Sequence, residues 1–198
     1  MNQPLIGPGH VAVGGDFARV FDPEDYLTMV NALDEATVLL RAHLVLEEFL
    51  NIWAARITGT EDLFEGGFVP FKTKLFICKN LGFDAKFADV FDRVNTIRNR
   101  YSHRRKYQLD DNGVIALRDA VDGLPSLQPM EPCEKFEIYL EGRDASGNRQ
   151  QVTYTWAAAD TKKRVALVQV VLVLKLVQWM QHEFNAKGIR YTLVAWPN

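Results

Sequence analysis

Arg98, Asn99 and His103 stand near the end of a segment whose apolar residues recur at helical spacing, and Arg104, Arg105 and Lys106 follow them directly. Arginine is permanently charged and presents a planar fork of donors that matches phosphate oxygens, whereas histidine exchanges protons near neutral pH. Together they suit phosphodiester cleavage of RNA. There the 2′-hydroxyl acts as an internal nucleophile, and a metal-free site needs chiefly a proton-transfer group and a cation facing the charge on phosphorus. In that reading His103 handles the proton, Arg98 stabilises the phosphate and Asn99 fixes the cleft by hydrogen bonding. Arg100, Arg104, Arg105 and Lys106, interleaved with Tyr101 and Tyr107, would add a basic patch with stacking surfaces for single-stranded RNA. The same cations have a plainer use near a helix C-terminus, where they complement the macrodipole and keep the surface solvated.

Geometry restricts the first reading. Five residues along an ideal helix separate two side chains by roughly 140° in direction and about 7.5 Å in height. Arg98 and His103 therefore meet at one phosphate only if the helix ends or bends between them, or if they flank a groove or a second subunit supplies one of the pair.

Other candidates carry less. His43 and Glu47 share one face of a helix and are two of the ligands a metal would need, without a third. Their plainer reading is core packing, or, for Glu47, a supporting contact that orients Arg98 across a bundle. His182 reads as a solvent-facing or dipole-complementing residue near a helix end, and His10 lies in a loose N-terminal arm. Cys78 and Cys133 form no CxxC pair and have no histidine at metal-ligand spacing, so they read as ordinary reduced thiols. No phosphate-binding Walker loop, dinucleotide-binding glycine pattern, nucleophile elbow or zinc quartet is present. No cofactor or metal is expected.

The elements that must position Arg98 are helices. Ala85 to Arg100 carries Phe87, Val90, Phe91, Val94 and Ile97 at helical spacing, with Asp84 as N-cap. An earlier long helix runs from Asp34, its cap, to Thr58-Gly59, and a short turn of helix covers Pro23 to Asn31. Pro70 opens a shorter helix ending at Leu81-Gly82. Asp110 to Gly113 reads as a turn, and regular structure lapses from Asp122 to Pro132. Phe136 to Leu140 and Gln151 to Trp156 are β-rich and read as a hairpin inserted before a final helix, Asp160 to Lys187, which Gly188 ends. Within that helix Val165 to Met180 is apolar almost all round, yet it is interrupted by Gln169, Lys175 and Gln178. It is also shorter than the ~20 apolar residues of a spanning helix, so it reads as buried in a bundle or against a second copy.

The bulk properties fit one globular unit. The chain has 198 residues, 47% hydrophobic and 24% charged, with 23 Lys plus Arg against 25 Asp plus Glu, so any polyanion contact must be local. Residues 1–22 hold two prolines and four glycines and no sustained period, so 1–33 reads as an arm with a short helix and 34–198 as the bundle, with its hairpin near 136–156. Neither a basic start nor an apolar signal core stands at the N-terminus, and a cytoplasmic protein without membrane contact is expected. The fold class expected is mostly α, an antiparallel bundle of four to five helices with a small β-hairpin.

The sequence Arg98-Asn99-x-x-x-His103 at a helix end, together with the upstream helix Leu40-Arg41-Ala42-His43-Leu44-Val45-Leu46-Glu47-Glu48-Phe49-Leu50, resembles the HEPN superfamily. Its hallmark is an arginine, usually a polar residue next, and a histidine a few positions on; Asn99 fits the polar slot. The resemblance covers roughly Asp34 to Tyr107, and the final helix by architecture alone. It implies a helical bundle that dimerises and brings two copies of the motif to a shared cleft, with Arg98, Asn99 and His103 as the site. It further implies metal-independent RNA cleavage, as in toxins or antiviral defence, with RNA and an antitoxin-like or regulatory protein as partners. Other members bind nucleotides or have lost activity, so a catalytically silent RNA-binding or regulatory module is the alternative. A protein whose helices act mainly by binding another chain is a further one. The hairpin lies outside the minimal bundle.

Overall fold

The computed structural model describes residues 15–103, 107–143 and 149–192. Along the chain lie a 3-10 helix (Gly15–Phe21), α1 (Pro23–Asn31), α2 (Glu35–Thr58), α3 (Phe71–Asn80), α4 (Ala85–His103), α5 (Asp111–Asp122), β1 (Glu137–Arg143), β2 (Arg149–Thr155) and α6 (Thr161–Ala186). The fold is mostly helical with one small antiparallel sheet.

The helix ends follow from local chemistry. Asp34 Oδ1 accepts from the Thr37 amide at 2.8 Å, Asp84 Oδ1 from the Lys86 amide at 2.8 Å, and Asp160 Oδ1 from the Lys163 amide at 3.0 Å, each satisfying an amide that the helix start leaves free. Gly59, with φ of 69°, ends α2 in the left-handed conformation that a side chain resists. One helix was not anticipated. Asp110 to Gly113, read as a turn, starts α5: Asp110 Oδ1 accepts from the Gly113 amide at 2.8 Å, and Val114, Leu117 and Val121 point into the core. The arm is also less loose than expected, since Phe17 and Val20 in the 3-10 helix are fully buried. Phe17 sits between Phe49, Phe184 and Tyr191, with ring centroids 6.2–6.5 Å away.

Three long helices make the core. His43 meets Asn95, and Trp53 meets Phe83 just before α4, so α2 and α4 run in opposite directions. By contrast Leu33 O accepts from Lys162 Nζ at 3.3 Å, Ala42 O from Gln169 Nε2 at 3.5 Å, and Trp53 stacks on Trp179 with centroids 4.8 Å apart. Hence α2 and α6 run in the same direction, and the expectation of an antiparallel bundle holds for α2 with α4 but not for α2 with α6. α4 ends at the starting end of α2; α5 then runs alongside α6 as far as Lys175, and the chain returns through the hairpin to Trp156, beside Arg164 in the first turn of α6.

By length and composition α6 resembles a membrane span, with a mean hydropathy of 1.4 over its most apolar 18 residues, but 78% of that stretch is buried inside the molecule. Its polar interruptions each tie down a neighbour. Lys175 Nζ donates to the carbonyls of Val121, Asp122 and Leu124 at 2.9, 3.0 and 3.1 Å, gathering acceptors at the end of α5. Gln178 Oε1 accepts from Ser126 Oγ and the Gln128 amide, and Gln169 reaches α2. The hairpin pairs Glu137 with Thr155 through Arg143 with Arg149 and docks through Trp156, whose ring centroid lies 5.4 Å from the guanidinium groups of both Arg118 and Arg164.

Candidate functional site

The apolar stripe of α4 runs Phe87, Val90, Phe91 and Val94, all buried against α2, α3 and α6. At its next position stands a polar residue. Asn95 is 3% exposed, and from α2 the equally buried His43 faces it. His43 Nε2 lies 3.3 Å from Asn95 Oδ1, Asn99 Nδ2 donates to the same oxygen at 3.4 Å, and Arg98 Nη1 donates to Asn99 Oδ1 at 3.0 Å. The directions agree if His43 is the neutral tautomer bearing its proton on Nε2, so that Asn95 accepts twice and Asn99 relays to Arg98. His43 Nδ1, Asn95 Nδ2 and Arg98 Nε are buried with no partner among the described residues. Burial first, and the Arg98 charge second, push the His43 pKa below its ordinary value, against opposing effects of Glu47 and the Asn95 hydrogen bond. His43 is therefore neutral at pH 7, and its ring packs 4.2 Å from Phe71.

Arg98 and Asn99 are brought together and half-buried in this cluster, whereas His103 is exposed at the last turn of α4. The helix runs unbroken from Ala85 to His103, so the roughly 140° between Arg98 and His103 persists and the pair does not converge within one chain. Ser102 Oγ donates back to Arg98 O at 3.3 Å, consistent with regular helix there. Arg100 is exposed, its guanidinium 5.9 Å from the Tyr107 ring. Tyr101 is half-buried: its hydroxyl accepts from the Leu109 amide at 2.7 Å and its ring meets Tyr107 edge-on at 4.9 Å. Burial pushes the Tyr101 phenol up to about 12. Arg104, Arg105 and Lys106 lie outside the described residues, as does His10.

Glu47 does not reach Arg98; its carboxylate pairs with Lys74 of α3 at 2.8 Å. Among the described residues no group of three or more His, Cys, Asp or Glu side chains is placed to hold a metal ion. His182 is exposed. Both cysteines are free and buried, and burial pushes the Cys78 thiol up to about 12 and the Cys133 thiol up as well, so neither is an activated nucleophile.

Asn95 is the site residue that sequence reasoning passed over. A signal existed, because it extends the apolar positions 87, 91 and 95 of one helix face with an amide, and a buried amide needs partners. His43 is a core residue, and it also supports the motif helix. Comparison with protein-family models, curated protein sequences and solved structures finds no match to this chain.

Proposed function

We propose that this chain is a HEPN-like, metal-independent endoribonuclease that acts as a homodimer. The observation carrying the reading is the buried support beneath Arg98. An arginine that merely complemented the α4 dipole would extend into water and need no partner; Arg98 instead is held by Asn99, which is held by Asn95 and in turn by His43. Such a chain fixes a cation's direction before a phosphate arrives, which is how electrostatic stabilisation of a developing charge is made effective. His103, exposed at the end of the same helix, is free to meet a polymer.

In the reaction His103 takes the proton of a 2′-hydroxyl, the 2′-oxygen forms a bond to phosphorus, and the phosphorus–O5′ bond breaks with the leaving oxygen protonated by water, to which His103 then returns its own proton. Arg98 faces the non-bridging oxygens. The products are a 2′,3′-cyclic phosphate and a 5′-hydroxyl. Because Arg98 and His103 lie on different faces of an unbroken helix, the site takes Arg98 from one copy and His103 from the other. An apolar surface at the motif end supports this pairing. Leu33 is 94% exposed, and Leu40 and Leu44, one turn apart on α2, are 43% and 47% exposed. The carboxylates of Asp34 and Glu35 act on Tyr101, which sets this end of α2 beside the end of α4.

The test is incubation of purified protein with single-stranded RNA in chelator, beside Arg98→Ala and His103→Ala. The reading expects cyclic-phosphate ends from the wild type and at least about a hundred-fold loss in each variant. Cleavage surviving both substitutions refutes the site; binding of RNA without cleavage refutes the enzyme and favours a silent binding module.

A further inference from the structure

The face of α4 turned away from the Asn95 cluster lines a concavity of about 270 Å³ between α4 and α5. Arg93, Thr96 and Arg100 edge it from α4 and Ala116 from α5, and Tyr107 lines it as well. On an ideal helix His103 lies two turns beyond Thr96, within about 20° of it, and one turn beyond Arg100. The concavity therefore belongs to the His103 side of the motif helix and not to the Arg98 side.

Its chemistry is specific. Arg93 and Arg100 are both exposed, and neither has a carboxylate at ion-pair distance among the described residues. The one carboxylate on the rim, Asp92, is paired with Lys72 at 3.3 Å. Two uncompensated guanidinium groups thus edge a floor made by Ile97 and the buried Leu109 and Leu117. Tyr107 is held in place by the edge-on contact with Tyr101, whose hydroxyl accepts the Leu109 amide. Arg100 already approaches the Tyr107 ring at 5.9 Å, a spacing at which a planar group slipped alongside would meet an aromatic face and a guanidinium together. An apolar floor with a stacking ring suits a nucleobase, and paired cations at the rim suit a phosphate. The volume is near the lower end of the ~300–1,000 Å³ of small-ligand pockets, enough for one nucleotide and not for a longer stretch.

We infer that the α4–α5 groove is a nucleotide subsite: it holds one ribonucleotide, base against Tyr107 and phosphate on Arg93 and Arg100, beside the His103 that would act on the adjoining linkage. The inference rests on the RNA reading above for the polymer, and on this groove alone for the nucleotide. Tyr101 is a positioning residue in it, acting through Tyr107 and the Leu109 backbone.

The experiment titrates the full chain with 5′-AMP, 5′-UMP, the nucleoside adenosine and inorganic phosphate, and separately with a 2′-O-methyl oligoribonucleotide that cannot be cleaved, followed by calorimetry and fluorescence anisotropy. Variants are Ala116→Trp, which fills the groove from an exposed helix position, the pair Arg93→Ala with Arg100→Ala, and, as a control away from both sites, His182→Ala. The subsite predicts nucleotide binding weakened about ten-fold or more in both groove variants and unchanged in His182→Ala, with adenosine and phosphate each weaker than AMP. Both groove variants consist of exposed substitutions, and wild-type circular dichroism and Tm confirm the fold of each. Binding to the oligonucleotide but to no mononucleotide, or AMP affinity equal to that of phosphate, overturns the subsite, as does wild-type binding by Ala116→Trp. The two readings fail separately: RNA cleaved normally by the groove variants with nucleotide binding intact removes only the subsite, while nucleotide binding lost in them with no RNA cleaved by wild type removes only the nuclease.

Discussion

Replacing Asn95 by leucine keeps the branching and the number of heavy atoms of the side chain while removing the oxygen on which the His43 and Asn99 hydrogen bonds end. His43 is 5% exposed, so its Nε2 donor loses its partner where water cannot replace it. A buried donor left unsatisfied costs about 1–3 kcal/mol. Asn99 is half-buried and can turn to solvent, so it adds little. Against these, the Asn95 amide nitrogen is itself buried without a partner, and leucine removes that cost. The balance is a loss of about 1–2 kcal/mol, which at about 2–4 °C per kcal/mol for a chain of this size lowers Tm by about 2–8 °C. Thermal and urea unfolding of Asn95→Leu, His43→Leu and the double variant measure it. Because the two side chains share one hydrogen bond, the double variant loses less than the sum of the singles, by about 0.5–2 kcal/mol. Asn95→Leu as stable as the wild type, or strict additivity, refutes the network. In the cleavage assay Asn95→Leu lowers turnover while RNA binding is retained, since Arg98 keeps its charge and loses its support.

Three further outcomes follow from the same contacts. Burial and Arg98 hold the His43 pKa below its ordinary value of 6.5, so the unfolded chain takes up the proton more readily; the stability this residue contributes is full above about pH 6.5 and is lost as pH falls through the lower folded pKa, and urea titrations at stepped pH show that slope in the wild type but not in His43→Leu. Lys175→Met keeps the stem of the side chain but leaves the Asp122 and Leu124 carbonyls without their donor, lowering unfolding free energy by about 1–3 kcal/mol and fraying α5 first in amide exchange; an unchanged α5 would contradict the role given to Lys175. Leu44→Lys, on an exposed position of α2, makes the protein a monomer by light scattering and abolishes RNA cleavage while leaving Tm at infinite dilution unchanged.

Much of the scaffold could be read residue by residue because its signals are local. Asp34, Asp84, Asp160 and Gly59 act on amides and carbonyls within a few positions of themselves. The start of α5 escaped because a cap and a turn use the same bond: Asp110 accepting from the Gly113 amide looks alike in both until Val114, Leu117 and Val121 find a core to enter. Gly113 belongs to that helix for a packing reason, since a Cβ there would lie 2.6 Å from Leu109 Cδ1. The 3-10 helix at Gly15–Phe21 depends on Phe49, Phe184 and Tyr191, distant in sequence, and the common direction of α2 and α6 depends on how the intervening chain returns. For the site, the angular mismatch of Arg98 and His103 was visible in their spacing, and the unbroken α4 preserves it. What spacing could not show is that His43 stands behind Asn95 and Asn99, because that contact is made by two helices running in opposite directions.

The shared site is tested most directly by mixing two inactive variants. Arg98→Ala and His103→Ala, each unable to cleave RNA alone, are unfolded together and refolded as a mixture so that mixed dimers form. If one copy supplies Arg98 and the other His103, each mixed dimer holds one intact site, and cleavage in chelator returns to about a quarter of the wild-type rate, given half of the dimers mixed and one of two sites intact. Dimers that form and exchange yet remain inactive would contradict the account, because both residues would then have to act from the same chain, where the helix holds them apart.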